Sequence, residues 1–235
     1  LTSMEPDEPV FGDIAVGPSG DLFGVTQDGS IRQIDLETGT STEIGFFSNK
    51  AAHSAFTCDS QSNLYTLDLL NNLVSFSIVT QEETVLVNVG EFSPGDLTFY
   101  NGQIVFPTFD GLLKTIDLQT YEIEVIYTIP TEIITQDAIF GIVNSFHQFG
   151  AEELIISTMS NHLYSLNVNE NFYYELEVIY DTDTGGAIFG MTSTDDLLAA
   201  DCNDFVNIED SQNSLERLSI YPNPASDVIN ISHQE

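Results

Sequence analysis

The chain has 235 residues, of which 42% are hydrophobic and 11% aromatic, so it can bury a core and global disorder is excluded. Its 37 acidic residues outnumber only 4 lysines and arginines, which gives a formal net charge of −33. Nucleic-acid binding and attraction to anionic membranes both need clustered lysine and arginine, so this balance argues against both. No apolar run reaches the roughly 18 residues of a membrane-spanning helix, so we expect no membrane insertion.

Four copies of one sequence pattern follow one another along the chain. They occupy residues 20–39, 62–81, 102–121 and 152–171, and a fifth copy begins at 194–201 before the pattern stops. The steps between equivalent positions are 42, 40, 50 and 43 residues, measured at the anchors Leu22, Leu64, Ile104, Leu154 and Leu197. A period of roughly 40 to 45 residues is that of a four-stranded propeller blade. We assign the one long step to an enlarged loop around residues 144–152.

Each copy contains two apolar runs joined by a short turn, with one further run before them and one after. The turns are Asp28-Gly29, Asn71-Asn72, Asp110-Gly111 and Ser160-Asn161, and these residue types tolerate the positive φ of tight hairpins. The sequence therefore predicts an all-β fold, a β-propeller of four-stranded antiparallel blades over residues 1–205. Four full blades and a partial fifth are visible, so either the fifth blade completes itself or the ring is incomplete in this chain. A β-sandwich would not repeat at a fixed period.

Two aspartates occupy equivalent repeat positions. One begins the apolar run that precedes the first copy, and the other begins the run that precedes the third copy. Asp13 follows Gly12, and Asp96 follows Gly95. If these are the innermost strands, both carboxylates project toward the central channel, where propellers usually bind ligands by analogy of fold. His147 and Phe149 lie in the enlarged loop of the fourth copy, and we expect them to contribute ligand contacts there.

The candidate metal ligands are Asp181 and Asp183, in the sequence Asp-Thr-Asp-Thr-Gly-Gly between the fourth and fifth copies. Alternating carboxylates suit Ca²⁺, so Ca²⁺ stays open as a cofactor, but the third oxygen ligand and the glutamate of a calcium loop are missing. An ordinary acidic turn is the favoured reading. The overall acidity favours a solvated surface, and its alternative is a set of carboxylate sites for Ca²⁺ or cationic ligands.

Two features bear on the compartment of the chain. Cys58 and Cys202 are the only cysteines and lie far apart, so a disulfide is open but their pairing cannot be read from the sequence. Residues 1–10 lack the basic and apolar stretches of a signal peptide. Either such a peptide has been removed or the sequence is an interior piece of a longer protein.

The last part of the chain departs from the repeats. Residues 206–217 form an acidic linker, and residues 218–235 resemble the opening of the C-terminal sorting domain of type IX secretion substrates. The residues that carry this resemblance are Leu218, Ile220, Tyr221, Pro222, Asn223, Pro224, Val228 and Ile231. The resemblance implies recognition by the type IX secretion machinery, export across the outer membrane, and release or attachment at the cell surface. The family's domain continues for several more strands, so we expect the tag to be truncated at Glu235.

The repeats also resemble, more loosely, secreted propellers of the YVTN, quinoprotein and lactonase-like grouping, although the chain has no tryptophan for quinoprotein-type blades. No nucleophile elbow, P-loop, dinucleotide fingerprint or zinc-protease motif occurs. The first hypothesis is therefore an exported binding or adhesion module for a glycan or protein ligand. The alternatives are a metal-assisted lactonase- or lyase-like enzyme at the central channel, and a structural spacer of a larger surface protein.

Overall fold

The computed structural model describes residues 9–49, 51–134, 138–146, 152–159, 162–176 and 191–193, together with the backbone of 219–220 and 229–230. Four four-stranded antiparallel sheets form the blades of a β-propeller. In chain order the blade strands are β1 (Phe11–Val16), β2 (Leu22–Thr26), β3 (Ser30–Ile34), β4 (Ser41–Phe46), β5 (Ala51–Cys58), β6 (Asn63–Asp68), β7 (Asn72–Ser77), β8 (Glu82–Asn88), β9 (Thr98–Tyr100), β10 (Gln103–Pro107), β11 (Leu112–Ile116), β12 (Ile123–Thr128), β13 (Ile139–Phe146), β14 (Glu152–Thr158), β15 (Leu163–Asn167) and β16 (Phe172–Leu176). The predicted fold class is confirmed.

The strands of each blade lie side by side in chain order, from an innermost first strand to an outermost fourth. Strands β1, β5, β9 and β13 are innermost, since each contacts the first strand of the neighbouring blade. The second strands are almost wholly buried because blades cover both of their faces, which explains their continuous apolar runs. The outermost strands are exposed or half-buried at almost every position.

The hydrophobic core lies between neighbouring blades. Phe23 and Ile31 of the first blade pack with Phe56 and Phe76 of the second, and Phe47 from the connection between them completes this cluster. Two further clusters fill the spaces between blades two and three and between blades three and four. Burial of these side chains, at roughly 25 cal/mol per Å² of apolar surface, is the main force that holds the blades together.

The hairpins between the second and third strands share one side of the ring with the connections that link successive blades. Each hairpin has one residue with positive φ, namely Gly29, Asn71 or Gly111, as the sequence predicted for three of its four turns. The carbonyl of that residue accepts a bond of 2.8 to 2.9 Å from the first residue of the connection, Phe47, Val89 or Ile129. We call this side the hairpin face. The fourth predicted turn, Ser160-Asn161, lies outside the described residues.

Several details differ from the prediction. A helix of one turn, α1 (Thr131–Ile134), forms in the connection before the fourth blade, and β13 runs on to Phe146, where it pairs with Glu152. The long repeat step therefore has extra residues in two places, this connection and the first hairpin of the fourth blade. The prediction that a single enlarged loop accounts for the step was wrong.

The chain end and the fifth copy are described only in part. Residues 191–193, which precede the fifth copy, are buried, and the Val16 amide donates to Thr192 Oγ1 at 3.1 Å. Strands β17 (Ser219–Ile220) and β18 (Ile229–Asn230) pair antiparallel. Within the described residues no helix is long and apolar enough to cross a membrane.

Candidate functional site: a buried carboxyl pair and an exposed apolar patch

Asp13 and Asp96 meet at the axis of the propeller, as their equivalent repeat positions predicted. Asp13 lies on β1 of the first blade, and Asp96 lies two residues before β9 of the third blade. Both side chains are completely buried, and each interacts with the other's carboxyl group. We call them the axial pair. The second and fourth blades place the small residues Ala55 and Gly141 at the matching positions, which leaves space for two carboxyl groups.

The backbone around the axial pair donates to three of its four oxygens. The Ile14 amide donates to Asp13 Oδ1 at 2.8 Å. Asp96 Oδ1 accepts from Leu97 at 2.7 Å and more weakly from Phe56 at 3.4 Å, and Asp96 Oδ2 accepts from Met191 at 3.0 Å. Asp13 Oδ2 has no donor among the described residues. Amide donors stabilise the charged form of a carboxyl group, so these hydrogen bonds lower the pKa of both aspartates and oppose the effect of burial.

Burial changes the acid–base chemistry of the axial pair. Loss of contact with water raises the pKa of Asp13 to about 7, and burial together with the nearby Asp13 charge raises the pKa of Asp96 well above its ordinary value. No lysine or arginine among the described residues forms an ion pair with either carboxyl group. The pair therefore holds at least one proton at neutral pH, and that proton belongs to the pair as a unit.

Tight packing seals the axial pair. A Cβ atom on Gly95 would lie 2.5 Å from the Ile139 carbonyl oxygen, and one on Gly141 would lie 2.6 Å from Ser157 Oγ and 3.1 Å from Met191 Cγ. Gly95, before β9, and Gly141, within β13, are therefore positions where the backbone packs too closely for a side chain. The axial pair is a buried polar centre that ties blades one, two and three to residue 191 through hydrogen bonds, and no described contact opens it to solvent.

The hairpin face carries a group of exposed apolar side chains. We call this group the hairpin patch. Its members and their exposed fractions are Leu69 (51%), Leu70 (63%), Phe92 (45%), Phe109 (68%) and Met159 (58%). Leu69, Phe109 and Met159 are equivalent positions in the hairpins of blades two, three and four, where the first blade has Gln27. Phe92, from the connection between blades two and three, stacks on Phe109 with ring centroids 6.1 Å apart and planes 17° apart.

The surroundings of the hairpin patch are acidic. Glu91 precedes Phe92, Asp110 follows Phe109, and Asp110 Oδ1 accepts a bond of 2.5 Å from Thr108 Oγ1. Lys114, on β11, forms an ion pair with Glu91. The described hairpins and connections carry no other lysine or arginine. The patch therefore combines exposed apolar side chains with acidic residues that are their neighbours in sequence.

The other predicted site residues cannot be compared with the structure. His147, Phe149, Asp181 and Asp183 lie outside the described residues, as does Cys202. Cys58 is buried, and its Sγ donates to the Asp59 carbonyl at 3.3 Å. Within the described ranges no group of three or more His, Cys, Asp or Glu side chains could hold a metal ion.

The sorting-signal residues are seen only through two short strands. Ile220 pairs with Ile229 in β17 and β18. The remaining residues of the signal lie outside the described part, and these are Leu218, Tyr221, Pro222, Asn223, Pro224, Val228 and Ile231.

Sequence reasoning missed the hairpin patch, although a signal for it was present. The repeat alignment places Leu69, Phe109 and Met159 beside turn residues, where polar side chains are the norm. A large apolar residue at the same turn position in three successive copies is difficult to explain by folding alone, because that position faces solvent in every blade.

Comparison with known proteins supports the fold and no more. No family model and no curated protein matches the chain. A chain of the crystallised nidogen/laminin complex is similar with a TM-score of 0.56 and 12% identity, over 92% of this chain and 73% of that one. A structural-genomics protein of unknown function from Bacteroides thetaiotaomicron is similar with a TM-score of 0.61 and 17% identity, over 81% of this chain. This chain spans only 56% of that protein's length.

Proposed function

We propose that this protein is a binding module that engages a partner through the hairpin patch. The observation that carries the proposal is the exposure of Leu69, Phe109 and Met159 at one repeated turn position, with Phe109 stacked on Phe92. Leaving large apolar side chains in water gains nothing for folding, whereas their burial against a partner is favourable. Aromatic side chains are also the residue type that most often dominates interface energetics.

Two further points support a binding role. One similar structure is a chain of a complex whose partners are nidogen and laminin, so a propeller of related fold occurs in a protein–protein complex. The axial pair is buried and offers no described surface to a substrate. A propeller whose axial carboxyl groups are buried and whose hairpins expose apolar side chains is better suited to binding at its face than to catalysis in its channel.

We propose in addition that the protein is exported and acts outside the cell or at its surface. The support is the Tyr-Pro-Asn-Pro segment at residues 221–224 and its flanking apolar residues, which resemble the type IX sorting domain. A formal net charge of −33 keeps such a protein soluble. Fractionation of the cells that produce it tests this point, since chain confined to the cytoplasm would contradict export.

Site-specific photo-crosslinking tests the binding proposal. A photoreactive phenylalanine analogue is placed at Phe109 and, in a matched control, at Val79, which is 78% exposed in a turn on the opposite side of the ring. Irradiation of the producing culture should give a discrete protein adduct from position 109 that is absent from position 79. Equal labelling from both positions, or no adduct from position 109, would contradict the proposal.

A further inference from the structure

The stacked ring pair at the edge of the hairpin patch has a specific chemical character. Phe109 is 68% exposed and Phe92 is 45% exposed, so both rings are accessible to solvent. Phenylalanine has no hydrogen-bonding group, which leaves two favourable contacts for such a surface. One is apolar burial, and the other is attraction of a cation to the negative face of the ring.

The charges beside the rings favour the second contact. Glu91 and Asp110 flank Phe92 and Phe109 in sequence, and both carboxylates lie on the hairpin face. The chain itself already places one cation here, since the Lys114 ammonium group pairs with Glu91. A cation near carboxylates and an aromatic face loses less of its electrostatic stabilisation on leaving water than it would on a neutral apolar surface.

We propose that Phe92, Phe109 and Asp110 form the docking point for a basic side chain, lysine or arginine, on a protein partner whose adjacent residues are apolar. The inference rests on the proposed binding function and names the partner's chemistry. Charge complementarity supports it, because a chain of net charge −33 repels acidic partners and attracts basic ones. The apolar part of the partner would cover Leu69 and Leu70, which are exposed on the neighbouring hairpin.

The experiment uses three short synthetic peptides as probes, in which leucine alternates with arginine, serine or glutamate. Binding of each to the full chain is measured by calorimetry at physiological ionic strength, where charges more than about 8 Å apart are largely screened. We expect the arginine peptide to bind most tightly. Phe109→Ser should weaken it at least about tenfold, as for an interface hot spot, and Asp110→Asn should weaken it about threefold, as for the loss of an exposed ion pair.

Matched variants on the opposite side of the ring serve as controls. Val79→Ser removes an exposed apolar side chain and Asp35→Asn an exposed carboxylate, and neither should change the affinity for the arginine peptide. Equal loss of binding in Val79→Ser and Phe109→Ser, or no binding of the arginine peptide, would overturn the inference. Thermal unfolding of each variant shows that it is folded.

The serine peptide separates this inference from the proposed function. If it binds as tightly as the arginine peptide and Phe109→Ser weakens both, the hairpin patch is a binding surface without a preference for basic partners. The inference then fails and the proposed function stands. If Phe109→Ser changes neither affinity and position 109 gives no crosslink, both fail.

Discussion

Aspartates at the axis and aspartates in the outer turns of the propeller have opposite acid–base behaviour. Asp13 and Asp96 are completely buried, and burial raises the pKa of both. Asp35 and Asp117 lie in the turns between the third and fourth strands of blades one and three, where Asp35 is exposed and Asp117 is half-buried. Hydrogen bonds lower the pKa of each of these two, led by the Thr38 hydroxyl for Asp35 and the Thr120 amide for Asp117.

The difference shows that backbone hydrogen bonds alone do not set the pKa of a carboxyl group. Asp96 accepts from three backbone amides, and Asp117 accepts from two, Gln119 at 2.7 Å and Thr120 at 2.8 Å. Loss of water outweighs the donors at the axis, whereas water remains around the turn and the donors decide the direction there. The axial pair is therefore a buried polar centre with a stability cost above neutral pH, and the turn aspartates stabilise local backbone.

The largest expected effect is the pH dependence of stability that the axial pair creates. Its pKa values are raised in the folded state, so the folded protein binds more protons than the unfolded chain between the ordinary aspartate pKa of 3.8 and about 7. The pair contributes its full stability below pH 3.8. As the pH rises through that window, the free energy of unfolding falls by up to about 1.4 kcal/mol per pH unit for each extra proton that the folded state binds. Denaturant unfolding at a series of pH values measures this slope.

Asp13→Asn isolates that slope from the rest of the acidic surface. The variant keeps the acceptor for the Ile14 amide and places an NH₂ group where Asp13 Oδ2 has no donor. We expect it to match the wild type near pH 4.5 and to be more stable at pH 8. Parallel stability curves for the two proteins would contradict the raised pKa of the pair.

The second effect is a difference between the two axial positions. Both oxygens of Asp96 accept backbone amides, so Asp96→Asn must turn its NH₂ group toward a donor, either Met191 or Leu97. At pH 5, where the wild-type pair is protonated, this substitution should lower the free energy of unfolding by about 1–3 kcal/mol, the cost of an unsatisfied buried polar group. Asp13→Asn should cost little under the same conditions. Equal losses would show that the different hydrogen-bond donors of the two carboxyl groups do not decide how each position tolerates an amide.

The sequence predicted the fold well because the propeller repeats local information. The period, the hairpin turns and the apolar runs are each fixed by neighbours in the chain, and the structure reproduces all three. It also predicted that Asp13 and Asp96 project toward the central channel if their strands are innermost, because equivalent repeat positions lie at equivalent radii. The sequence could not predict the hydrogen bonds around the two carboxyl groups, since the amides of Phe56 and Met191 reach Asp96 from 40 and 95 residues away.

The hairpin patch shows that the exposure of an apolar residue is also difficult to predict from the sequence. Its members are apolar and lie beside turns, and pattern reasoning treats an apolar residue as a core candidate. Whether Phe109 is buried depends on whether the connection from the preceding blade covers it, and Phe92 in that connection only stacks on its ring. Helix α1 shows the same limit, because four residues between two strands carry too little periodicity to be recognised.

The smallest expected effect is at the turn aspartates, and its pH dependence has the opposite sign. The pKa of Asp117 is lowered, so the stability that this carboxylate contributes is present above the unfolded-state pKa and is lost as the pH falls through its folded-state pKa. Asp117→Ala should therefore destabilise the protein slightly at neutral pH, less than Asp96→Asn does at pH 5, and should have no added effect in strong acid. Gln119→Ala is the control, because that residue contributes its backbone amide to the turn. A destabilisation by Asp117→Ala that grows as the pH falls would place Asp117 with the axial pair and would remove the distinction between buried and turn aspartates.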